Sequence, residues 1–421
     1  MERSSTAQRR LAGCTIVSRN YLSYARVAGE SWLRHHPRSR FYTLVVDGLP
    51  AGAEAGRVEI VEPDALELPY FAELAFRCDV TELSTAVKPA FLSFLLERED
   101  AVVYLDPDVL VLQPFAEAQR ALRTAGIVLT PHTLAPIPRD GLRPSEEGIL
   151  NTGVFNLGFL ALRASDDASG LLGWWNSRVR EACRIDYVGG LFFDQKWIDL
   201  VPAYYRSAAI LRHPGYNVAY WNLHERPLER RDESFFVRGE PLVFFHFSGF
   251  DPARPATLSK RVKLELARTE VVPGSHLEEL TLLYRDLHVR HGFEASSRWE
   301  YRFGRFDNGV EIDSLLRQLY AGLEPDARRR FGDPFEARRD GSFFEWAIRP
   351  REDGLSPFLE LLYRRADLQA AFPAVPGGDL EAFLSWAGTH GAKESGYASE
   401  LVSNGVALLA GDSDARLDRL D

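Results

Sequence analysis

Cysteine is scarce in this chain, and long apolar runs are missing. Only three cysteines occur among the 421 residues, Cys14, Cys78 and Cys183, and this odd, widely spaced set fits a reducing compartment and lacks zinc-binding spacing. No apolar stretch approaches the length needed to cross a bilayer, which argues against an integral membrane protein. The sequence therefore predicts a cytoplasmic protein and leaves only peripheral contact with a membrane open.

Positive charge is also in deficit. The chain has 60 acidic and 50 basic residues, so its formal net charge is −10, which argues against a nucleic-acid partner. The glycine-rich fingerprints of dinucleotide-binding and P-loop proteins are absent as well. Standard Rossmann and P-loop nucleotide sites are therefore excluded.

Strand and helix patterns alternate through the first part of the chain. Short apolar runs with strand character are followed by segments whose apolar residues recur at helical spacing. An alternating order of this kind favours an α/β fold with a mostly parallel, doubly wound sheet. The predicted strands are residues 14–17, 41–46, 101–112 and 154–162, and the predicted helices are residues 21–35 and 85–96.

Residues 277–421 differ in character, because they show helical runs without strand alternation. We therefore predict a first domain over residues 1–276 and a C-terminal all-helical module over residues 277–421. Within the module, residues 307–347 and 352–387 repeat the order of certain glycine, tyrosine, phenylalanine and tryptophan residues. An internal duplication explains this repetition, although such residues also recur by chance in helices.

Two aspartates one residue apart interrupt the apolar pattern of residues 101–112. In an extended segment, side chains at positions i and i+2 point to the same side, so Asp106 and Asp108 can converge on one divalent cation. Pro107 has no N–H and restricts Asp106 to extended backbone, which places the pair at a strand end, where open α/β sheets bind ligands. Asp-Pro-Asp is also ordinary turn chemistry, so an Asx turn is the alternative.

Four further segments follow the aspartate pair. They are Asn-Thr-Gly-Val at residues 151–154, Asp194-Gln195, residues 215–222, and His246 followed by Ser248-Gly249. In the order and approximate spacing of these segments, residues 13–255 resemble GT-A-fold glycosyltransferases, and glycosyltransferase family eight in particular. Members of that family share a strand ending in DxD, an N-(S/A/T)-G-V segment, a DQ pair and a late HxxGxxKPW motif. The resemblance does not cover the helical module.

The resemblance implies a Mn²⁺ or Mg²⁺ ion bound by Asp106, Asp108 and His246 and bridging the diphosphate of a nucleotide sugar. Two carboxylates with an imidazole favour Mn²⁺, because Mg²⁺ prefers all-oxygen ligands. The alternative for His246 is a core histidine, since phenylalanines surround it. Gly249 marks a strand end where the backbone approaches a ligand closely, and we count it among the donor-binding residues.

The resemblance also implies that the loop after the first strand holds the nucleoside, with Tyr21 stacking on the base. Helix capping by Ser18 or Asn20 is compatible with this role. Lys88 stands where the family has an arginine that contacts the donor sugar and phosphate, and a lysine keeps the charge but loses the bidentate guanidinium. The loop residues are Val17, Ser18, Arg19, Asn20 and Tyr21.

Asn151, Asp194 and Gln195 match residues that line the reacting face of the sugar in the family. By this resemblance Asp194 holds donor hydroxyl groups, unless it serves as a helix N-cap. Gln195 is expected near the anomeric carbon. A neutral amide is a poor nucleophile, so front-face attack fits better than a covalent intermediate.

The chain departs from the family at the late motif, where Asp251-Pro252-Ala253 replaces Lys-Pro-Trp. The lysine that clamps the leaving phosphate in the family is therefore missing. Arg254 and Lys260 are the candidate replacements.

Acceptor contacts are expected between the Asp194-Gln195 pair and His246. Trp221 suits stacking on a sugar, although it equally suits a core. The expected acceptor residues are Tyr216, Asn217, Trp221 and His224.

Together these features predict a metal-dependent glycosyltransferase that moves a hexose from a nucleotide sugar, UDP-linked by resemblance, to a glycan, glycolipid or protein acceptor with retention. One alternative is a sugar-phosphate nucleotidyltransferase, which is disfavoured because residues 18–21 lack the glycines of its phosphate loop. Another is a nucleotide-sugar-binding scaffold that works through the helical module. The clustered arginines of the module predict an acceptor-side or partner-docking element, with a solvated charged face as the alternative.

Overall fold

The chain folds into two compact units. The structure, a computed structural model, describes residues 11–403. The first unit holds the described residues up to Glu67 together with Glu82–Trp299, and the second holds Leu68–Thr81 together with the described residues from Glu300 onward. The functional domains expected at residues 1–276 and 277–421 remain predictions, and the ends of both ranges lie outside the described residues.

The elements are numbered here in chain order. The strands are β1 Leu11–Val17, β2 Phe41–Val45, β3 Glu59–Val61, β4 Ala101–Leu105, β5 Val109–Val111, β6 Ile127–Pro131, β7 Phe155–Arg163, β8 Ile185–Asp186, β9 Leu191–Phe192, β10 Ala208–Ile210, β11 Leu228–Arg231, β12 Ser234–Val237, β13 Glu240–Pro241 and β14 Phe244–His246. The helices are α1 Leu22–His35, α2 Phe71–Arg77, α3 Val80–Ala86, α4 Lys88–Leu96, α5 Ala116–Ala121, α6 Glu146–Thr152, α7 Asp166–Ala182, α8 Val201–Tyr204, α9 His276–Arg290, α10 Phe293–Ser296, α11 Ser314–Ala321, α12 Pro325–Arg330, α13 Phe343–Ile348, α14 Pro357–Tyr363, α15 Ala366–Ala371, α16 Leu380–Trp386 and α17 Ala392–Ser395.

A seven-stranded sheet forms the centre of the first unit, in the order β10-β6-β7-β4-β1-β2-β3. Neighbouring strands pair in parallel except at β7, which is antiparallel to both β6 and β4. β1 and β4 are buried along their whole length, as expected for continuous apolar runs covered on both faces. The predicted α/β class, with a mostly parallel sheet and a C-terminal helical region, is confirmed.

The strand predicted over residues 101–112 is two strands in the structure. β4 ends at Leu105 and β5 begins at Val109, so the Asp-Pro-Asp segment links them. Pro107 accounts for the break, because a residue without an N–H cannot continue a hydrogen-bonded ladder. β5 pairs antiparallel with β14, and His246 lies opposite Val109 in that pairing. The break therefore carries the aspartates to the strand that contains His246.

The helix predicted over residues 85–96 is also divided. α3 ends at Ala86, and α4 begins at Lys88 with Pro89 in its first turn. Proline is favoured at that position because the first N–H groups of a helix have no intrahelical partner. Lys88 therefore starts a helix, and its side chain is only 2% exposed.

The second unit packs short helices around an aromatic core. Arg317 of α11 is 8% exposed, and its guanidinium donates to the carbonyl oxygens of Ala75, Phe76, Cys78 and Phe303. Four backbone acceptors satisfy the buried cation, so this side chain holds α2 within the unit.

The two segments expected to be duplicated follow the same local plan. Gly309 and Gly354 have φ values of 86° and 81° in turns that lead to α11 and α14. Asp313 caps α11 and Ser356 caps α14, each by accepting from a backbone N–H three residues on. Two more helices follow in each segment, α12 and α13 in one and α15 and α16 in the other. The duplication itself stays a prediction.

None of the helices in residues 11–403 combines the length and the apolar character that crossing a membrane requires.

Candidate metal centre and active site

Asp106, Asp108 and His246 come together where β4 ends. One ligand atom from each lies within 4.8 Å of the others. His246 Nε2 is 3.0 Å from Asp108 Oδ1 and 3.8 Å from Asp106 Oδ2. The His246 side chain is 3% exposed, whereas those of Asp106 and Asp108 are 30% and 22% exposed, so a cation can reach the carboxylates from solvent. Two carboxylates and one imidazole at this spacing suit a divalent cation such as Mn²⁺.

These three groups shift one another's pKa. Burial raises the pKa of Asp106 and Asp108 adds to the rise, although Lys88 and His246 act in the opposite direction. Burial acts to raise the pKa of Asp108 as well, but His246 and Arg261 act against it, and the pKa of Asp108 lies below its ordinary value. For His246, burial lowers the pKa and the two aspartates outweigh it, giving a net rise. Two carboxylates against one imidazole leave a surplus of negative charge that a bound cation would offset.

Lys88 links this cluster to Asp194. Its Nζ lies 2.7 Å from Asp194 Oδ2 and 4.0 Å from Asp106 Oδ1, and the Asp194 side chain is 4% exposed. Burial acts to lower the pKa of Lys88, but Asp194 and Asp106 outweigh it and raise the pKa, so the ammonium keeps its charge. The Asp194 carboxylate pairs with Lys88 and caps none of the described helices.

A buried hydrogen-bond network runs from His246 to Gln195. His246 Nδ1 lies 3.2 Å from Asn217 Oδ1, and Asn217 Nδ2 donates to Asn156 Oδ1 at 3.0 Å. Asn156 Nδ2 in turn donates to Gln195 Oε1 at 3.4 Å. Gln195 also accepts from one backbone N–H at 3.0 Å and donates to one backbone carbonyl at 2.8 Å. Both ends of its amide are therefore held by the protein.

Asn151 lies in the last turn of α6, where it is exposed. The carbonyl of the next residue, Thr152, accepts from Gln195 Nε2, so Asn151 and Gln195 are close neighbours. Gly153 follows with a φ of 120°, and a Cβ there would lie 3.3 Å from Gln195 Cγ. The glycine thus allows α6 to approach Gln195.

The loop expected to hold the nucleoside follows β1, which ends at the buried Val17. Ser18 Oγ donates to Asn20 Oδ1 at 2.6 Å, and neither caps a helix through its side chain. Arg19 is tied to the end of β2, because its N–H donates to Asp47 Oδ1 at 2.8 Å and its Nε lies 3.2 Å from Asp47 Oδ2. The pairing leaves the Arg19 guanidinium partly neutralised.

Tyr21 is the exposed aromatic of that loop. Tyr21 as a whole is 37% exposed, and its ring stacks on that of Tyr24 at 4.6 Å between centroids with an angle of 23°. One face of Tyr21 is thus covered by protein, and stacking of a base on the other face stays a prediction.

The four residues expected to contact an acceptor differ in their surroundings. Tyr216 is 1% exposed, and its hydroxyl bonds to Glu117 and to the Ala118 N–H. Asn217 is fully buried behind His246. Trp221 is 4% exposed, with its ring 5.1 Å from that of His246.

Trp221 and His224 both have buried ring nitrogens that lack a hydrogen-bond partner in the described part of the chain. They are the indole N–H of Trp221 and both ring nitrogens of His224. Burial lowers the pKa of His224, so its ring is held neutral. Such groups favour an added partner, and contact with an acceptor stays a prediction.

A cation that the sequence did not single out, Arg261, lies beside the cluster. Gly249 has a φ of 74°, and a Cβ on it would lie 2.7 Å from Arg261 Cγ. Burial raises the pKa of Tyr21 and acts to raise that of Asp108, and the charge of Arg261 acts in the opposite direction on both groups. Arg254, by contrast, pairs with Asp251 at 2.9 Å. No carboxylate of the described residues lies within ion-pair distance of Arg261.

Other site residues escaped the sequence analysis because their roles depend on contacts between distant segments. Asn156 and Gly158 lie in β7, just after the Asn-Thr-Gly-Val segment, but nothing in the sequence pairs them with His246. Tyr104 precedes the aspartate pair in β4, and His132 follows β6, which was not among the predicted strands, but no motif marks either residue. The hydroxyl of Tyr104 donates to Asp106 Oδ1 at 2.9 Å, and Lys88 Nζ lies 4.3 Å from the centroid of its ring.

Comparisons with known proteins give only distant similarities. No family model matches the sequence. Two proteins of Bacillus subtilis strain 168, the uncharacterized proteins YfnF and YfnD, are each 25% identical to this chain. The alignments span 255 and 245 residues, covering 57% and 56% of this chain and 81% and 76% of those proteins.

Glycosyltransferases are among the solved structures that are similar to this chain. The galactosyltransferase LgtC, in complex with donor and acceptor sugar analogs, is 17% identical, with a TM-score of 0.41, over 66% of this chain and 95% of its own. The bifunctional glycosyltransferase WbbM is 15% identical, with a TM-score of 0.38, over 71% of this chain and 52% of its own. These values are too low to transfer an activity, which has to be argued from the site itself.

Proposed function

We propose that this protein is a metal-dependent glycosyltransferase that moves a hexosyl group from a nucleotide sugar, most simply UDP-linked, to an acceptor. The observation that carries the proposal is the convergence of Asp106, Asp108 and His246 with the Lys88–Asp194 pair at one end of the sheet. Ligands bind at such strand ends in open α/β sheets. The arrangement combines a cation site with a buried carboxylate able to accept hydrogen bonds from sugar hydroxyl groups.

Each residue has a distinct part in this proposal. Asp106, Asp108 and His246 hold Mn²⁺ or Mg²⁺, which when bound supplies Lewis-acid stabilisation of the departing diphosphate. The ion pair with Lys88 positions the Asp194 side chain for donor hydroxyl groups. Tyr21 offers its open face to the base.

Retention of configuration is also proposed, without a covalent intermediate. The amide of Gln195 is a poor nucleophile, and hydrogen bonds to the protein hold it on both sides. The Asp194 carboxylate forms an ion pair with Lys88 through Oδ2, which makes it a weaker nucleophile. Attack from the face on which the nucleotide departs needs no protein nucleophile, and NMR of the anomeric proton of the product tests this. An inverted product would contradict it.

The acceptor is proposed to be a glycan, a lipid-linked glycan or a protein. Trp221 and His224 support this proposal, because their buried unpartnered nitrogens provide groups for hydroxyl recognition. A panel of acceptors incubated with the radiolabelled donor would separate the three classes.

The experiment that tests the enzymatic proposal is hydrolysis of nucleotide sugars with and without Mn²⁺, in the wild type and in Asp106→Asn. The pKa of Asp106 is raised mainly by burial, so its carboxylate is disfavoured in the folded chain. We therefore expect Asp106→Asn to lose Mn²⁺-dependent hydrolysis while its metal-free stability is unchanged or higher. Asp108→Asn should lose hydrolysis too, but with reduced stability, because Asp108 pairs with His246.

Asp340→Asn, at an exposed residue of the second unit, is the control and should behave as the wild type. Wild-type hydrolysis without Mn²⁺ at the same rate would contradict the metal assignment. Binding of the nucleotide sugar with neither hydrolysis nor transfer would favour a scaffold. Release of pyrophosphate from a nucleoside triphosphate and a sugar phosphate would favour a nucleotidyltransferase.

A further inference from the structure

The hydrogen-bond network behind His246 has a direction that can be derived atom by atom. The backbone N–H of Gly158 donates to the side-chain oxygen of Asn156 at 3.0 Å. A backbone N–H can only donate, so the Asn156 atom that receives it is Oδ1. Asn156 Nδ2 therefore lies on the opposite side of the amide.

The orientation of Asn156 determines that of Asn217. The Asn217 atom that lies 3.0 Å from Asn156 Oδ1 must be a donor, which identifies it as Nδ2. The same Nδ2 donates to Thr130 Oγ1 at 3.0 Å. The remaining atom, Asn217 Oδ1, faces His246 Nδ1 at 3.2 Å. An amide oxygen can only accept, so the hydrogen between these atoms belongs to His246.

The other end of the network is consistent with this direction. Asn156 Nδ2 faces His132 Nε2 at 3.1 Å, and His132 Nδ1 lies 3.3 Å from the carbonyl oxygen of Val154. His132 can satisfy both contacts only as a neutral ring that carries its proton on Nδ1. Burial lowers the pKa of His132 to about 4, which agrees with a neutral ring. Every donor and acceptor from Val154 to His246 is thereby assigned without conflict.

We propose that Asn217, oriented by Asn156, is a positioning residue that keeps a hydrogen on His246 Nδ1. Nε2 is then the ring atom that faces Asp108 and Asp106, 3.0 and 3.8 Å away, and that a bound cation would use. Outer partners of this kind fix the ring of metal-binding histidines in general. The inference rests on the proposed metal site, and it gives Asn217 a part separate from acceptor contact.

Gly158 completes the arrangement. A Cβ on this residue would lie 2.2 Å from His246 Cε1, so only glycine leaves room for the ring. The same glycine supplies the N–H that orients Asn156. One residue of β7 thus sets both the space for the imidazole and the direction of the network behind it.

The direct test is whether His246 Nδ1 carries a hydrogen in the full metal-free chain. With ¹⁵N-labelled histidine, two-dimensional NMR shows which ring nitrogens carry hydrogen, and His246→Gln identifies the His246 signals among those of the ten histidines. We expect a hydrogen on Nδ1 whether or not Nε2 also carries one beside Asp108. A ring with a hydrogen on Nε2 alone would overturn the inference, whatever metal the protein binds.

Two variants at residue 217 separate positioning from structural support. The φ of Asn217 is 54°, which glycine and aspartate both accept. Asn217→Gly removes the acceptor, and we expect the preference for a hydrogen on Nδ1 to be lost and the Kd for Mn²⁺ alone, measured by EPR of free Mn²⁺, to weaken roughly 10- to 100-fold. Asn217→Asp keeps an acceptor for His246 but loses the donor to Asn156 and Thr130, so it should lose stability while keeping the hydrogen on Nδ1 and a Kd within about threefold of the wild type.

Equal loss of thermal stability in both variants, with an unchanged Kd for Mn²⁺, would show that Asn217 has only a structural part. The outcomes for the proposed function are distinct from these. If the wild type takes up no Mn²⁺, with or without UDP, the metal-dependent function fails. The NMR result then still decides whether the network has the derived direction.

Discussion

Single residues determine the electrostatics of this site, and only some of them could be predicted from the sequence. Asp106, Asp108 and His246 were predictable, because the spacing of the aspartates and the order of the segments mark them. Asn156 and His132 were not, since their parts follow from partners far along the chain. Arg261 was missed for the same reason. The sequence analysis named Arg254 and Lys260 instead as replacements for the lysine that is absent from the late motif.

Arg261 provides a test at this scale. A guanidinium with no carboxylate partner beside a cation site suits the phosphates of a nucleotide, so we expect Arg261→Ala to weaken UDP binding roughly tenfold. Binding of uridine, which has no phosphate, should not change. Isothermal titration in the presence of Mn²⁺ measures both affinities.

Arg254→Ala is the matched control, because Arg254 already pairs with Asp251. It should leave both affinities as they are. Equal weakening of UDP and uridine in Arg261→Ala would contradict a phosphate contact, and an effect confined to Arg254→Ala would restore the expectation made from the sequence.

At the scale of elements, the sequence predicted the strands and helices better than their pairing. Periodicity located β1, β2 and β7 to within a few residues. It could not show that Pro107 divides one predicted strand, or that β5 leaves the sheet to pair with β14. Pairing between segments that are far apart in sequence depends on the whole fold, and local patterns do not encode it. The geometry of the metal site arises from that pairing.

The approach of β7 to β14 can be tested through its glycine. Gly158→Ala would place a Cβ 2.2 Å from His246 Cε1 and 2.7 Å from Asn156 Oδ1, so both side chains would have to move. We expect a loss of about 1–3 kcal/mol in the free energy of unfolding, measured in urea, together with weaker Mn²⁺ binding.

Gly173→Ala in α7 is the control, because a Cβ there meets no atom within 4 Å. This substitution should stabilise the chain by roughly 0.5–1 kcal/mol, since alanine is the better helix former. If Gly158→Ala changes neither the free energy of unfolding nor Mn²⁺ binding, then β7 and β14 can move apart at little cost. In that case the His246 ring does not require a glycine at residue 158.

At the scale of the whole molecule, buried neutral histidines make stability depend on pH. Burial lowers the pKa of His36 to about 4, although its contact with the Trp32 carbonyl acts in the opposite direction. His36 Nε2 accepts from the Phe115 N–H at 3.1 Å, so the ring is held neutral. The unfolded chain binds this proton near pH 6.5 and the folded chain only near pH 4, so stability falls as the pH drops through that window.

We therefore expect the free energy of unfolding to fall between pH 7 and pH 5, and to fall less in His36→Gln, by roughly 1–2 kcal/mol. Urea unfolding at the two pH values measures the difference. The same substitution at His390, which is exposed, should leave the pH dependence unchanged. If the free energy of unfolding of His36→Gln falls with pH as much as that of the wild type, His36 is protonated in the folded chain.

The division into two units changes what truncation can be expected to show. A chain that ends at residue 276 lacks α9, whose Tyr284 stacks on Phe247 at 3.8 Å in the first unit. A chain that ends at Trp299 keeps α9 but leaves Phe76 without the aromatic core of the second unit. The donor site is therefore best tested in the longer fragment.

Substitution of Phe76 should have opposite effects in this fragment and in the full chain. Phe76→Ser should raise the solubility of the fragment that ends at Trp299, because the exposed ring is removed. In the full chain the same change should cost at least about 3 kcal/mol, since Phe76 is fully buried there. Sedimentation of the fragment and urea unfolding of the full chain measure the two effects. Destabilisation of both would mean that Phe76 also belongs to the core of the first unit.

The contacts of Arg317 with Ala75, Phe76 and Cys78 span 239 to 242 residues of sequence. During synthesis at ~5–20 residues per second, the ribosome exposes α2 for roughly 12–50 s before Arg317 emerges. Phe71 and Phe76 lack their partners in the second unit through that interval, while residues of the first unit are still being synthesised. The nascent chain therefore passes through a stage in which these two aromatic side chains lack the core that buries Phe76, and a chaperone that binds short aromatic segments would find its target there.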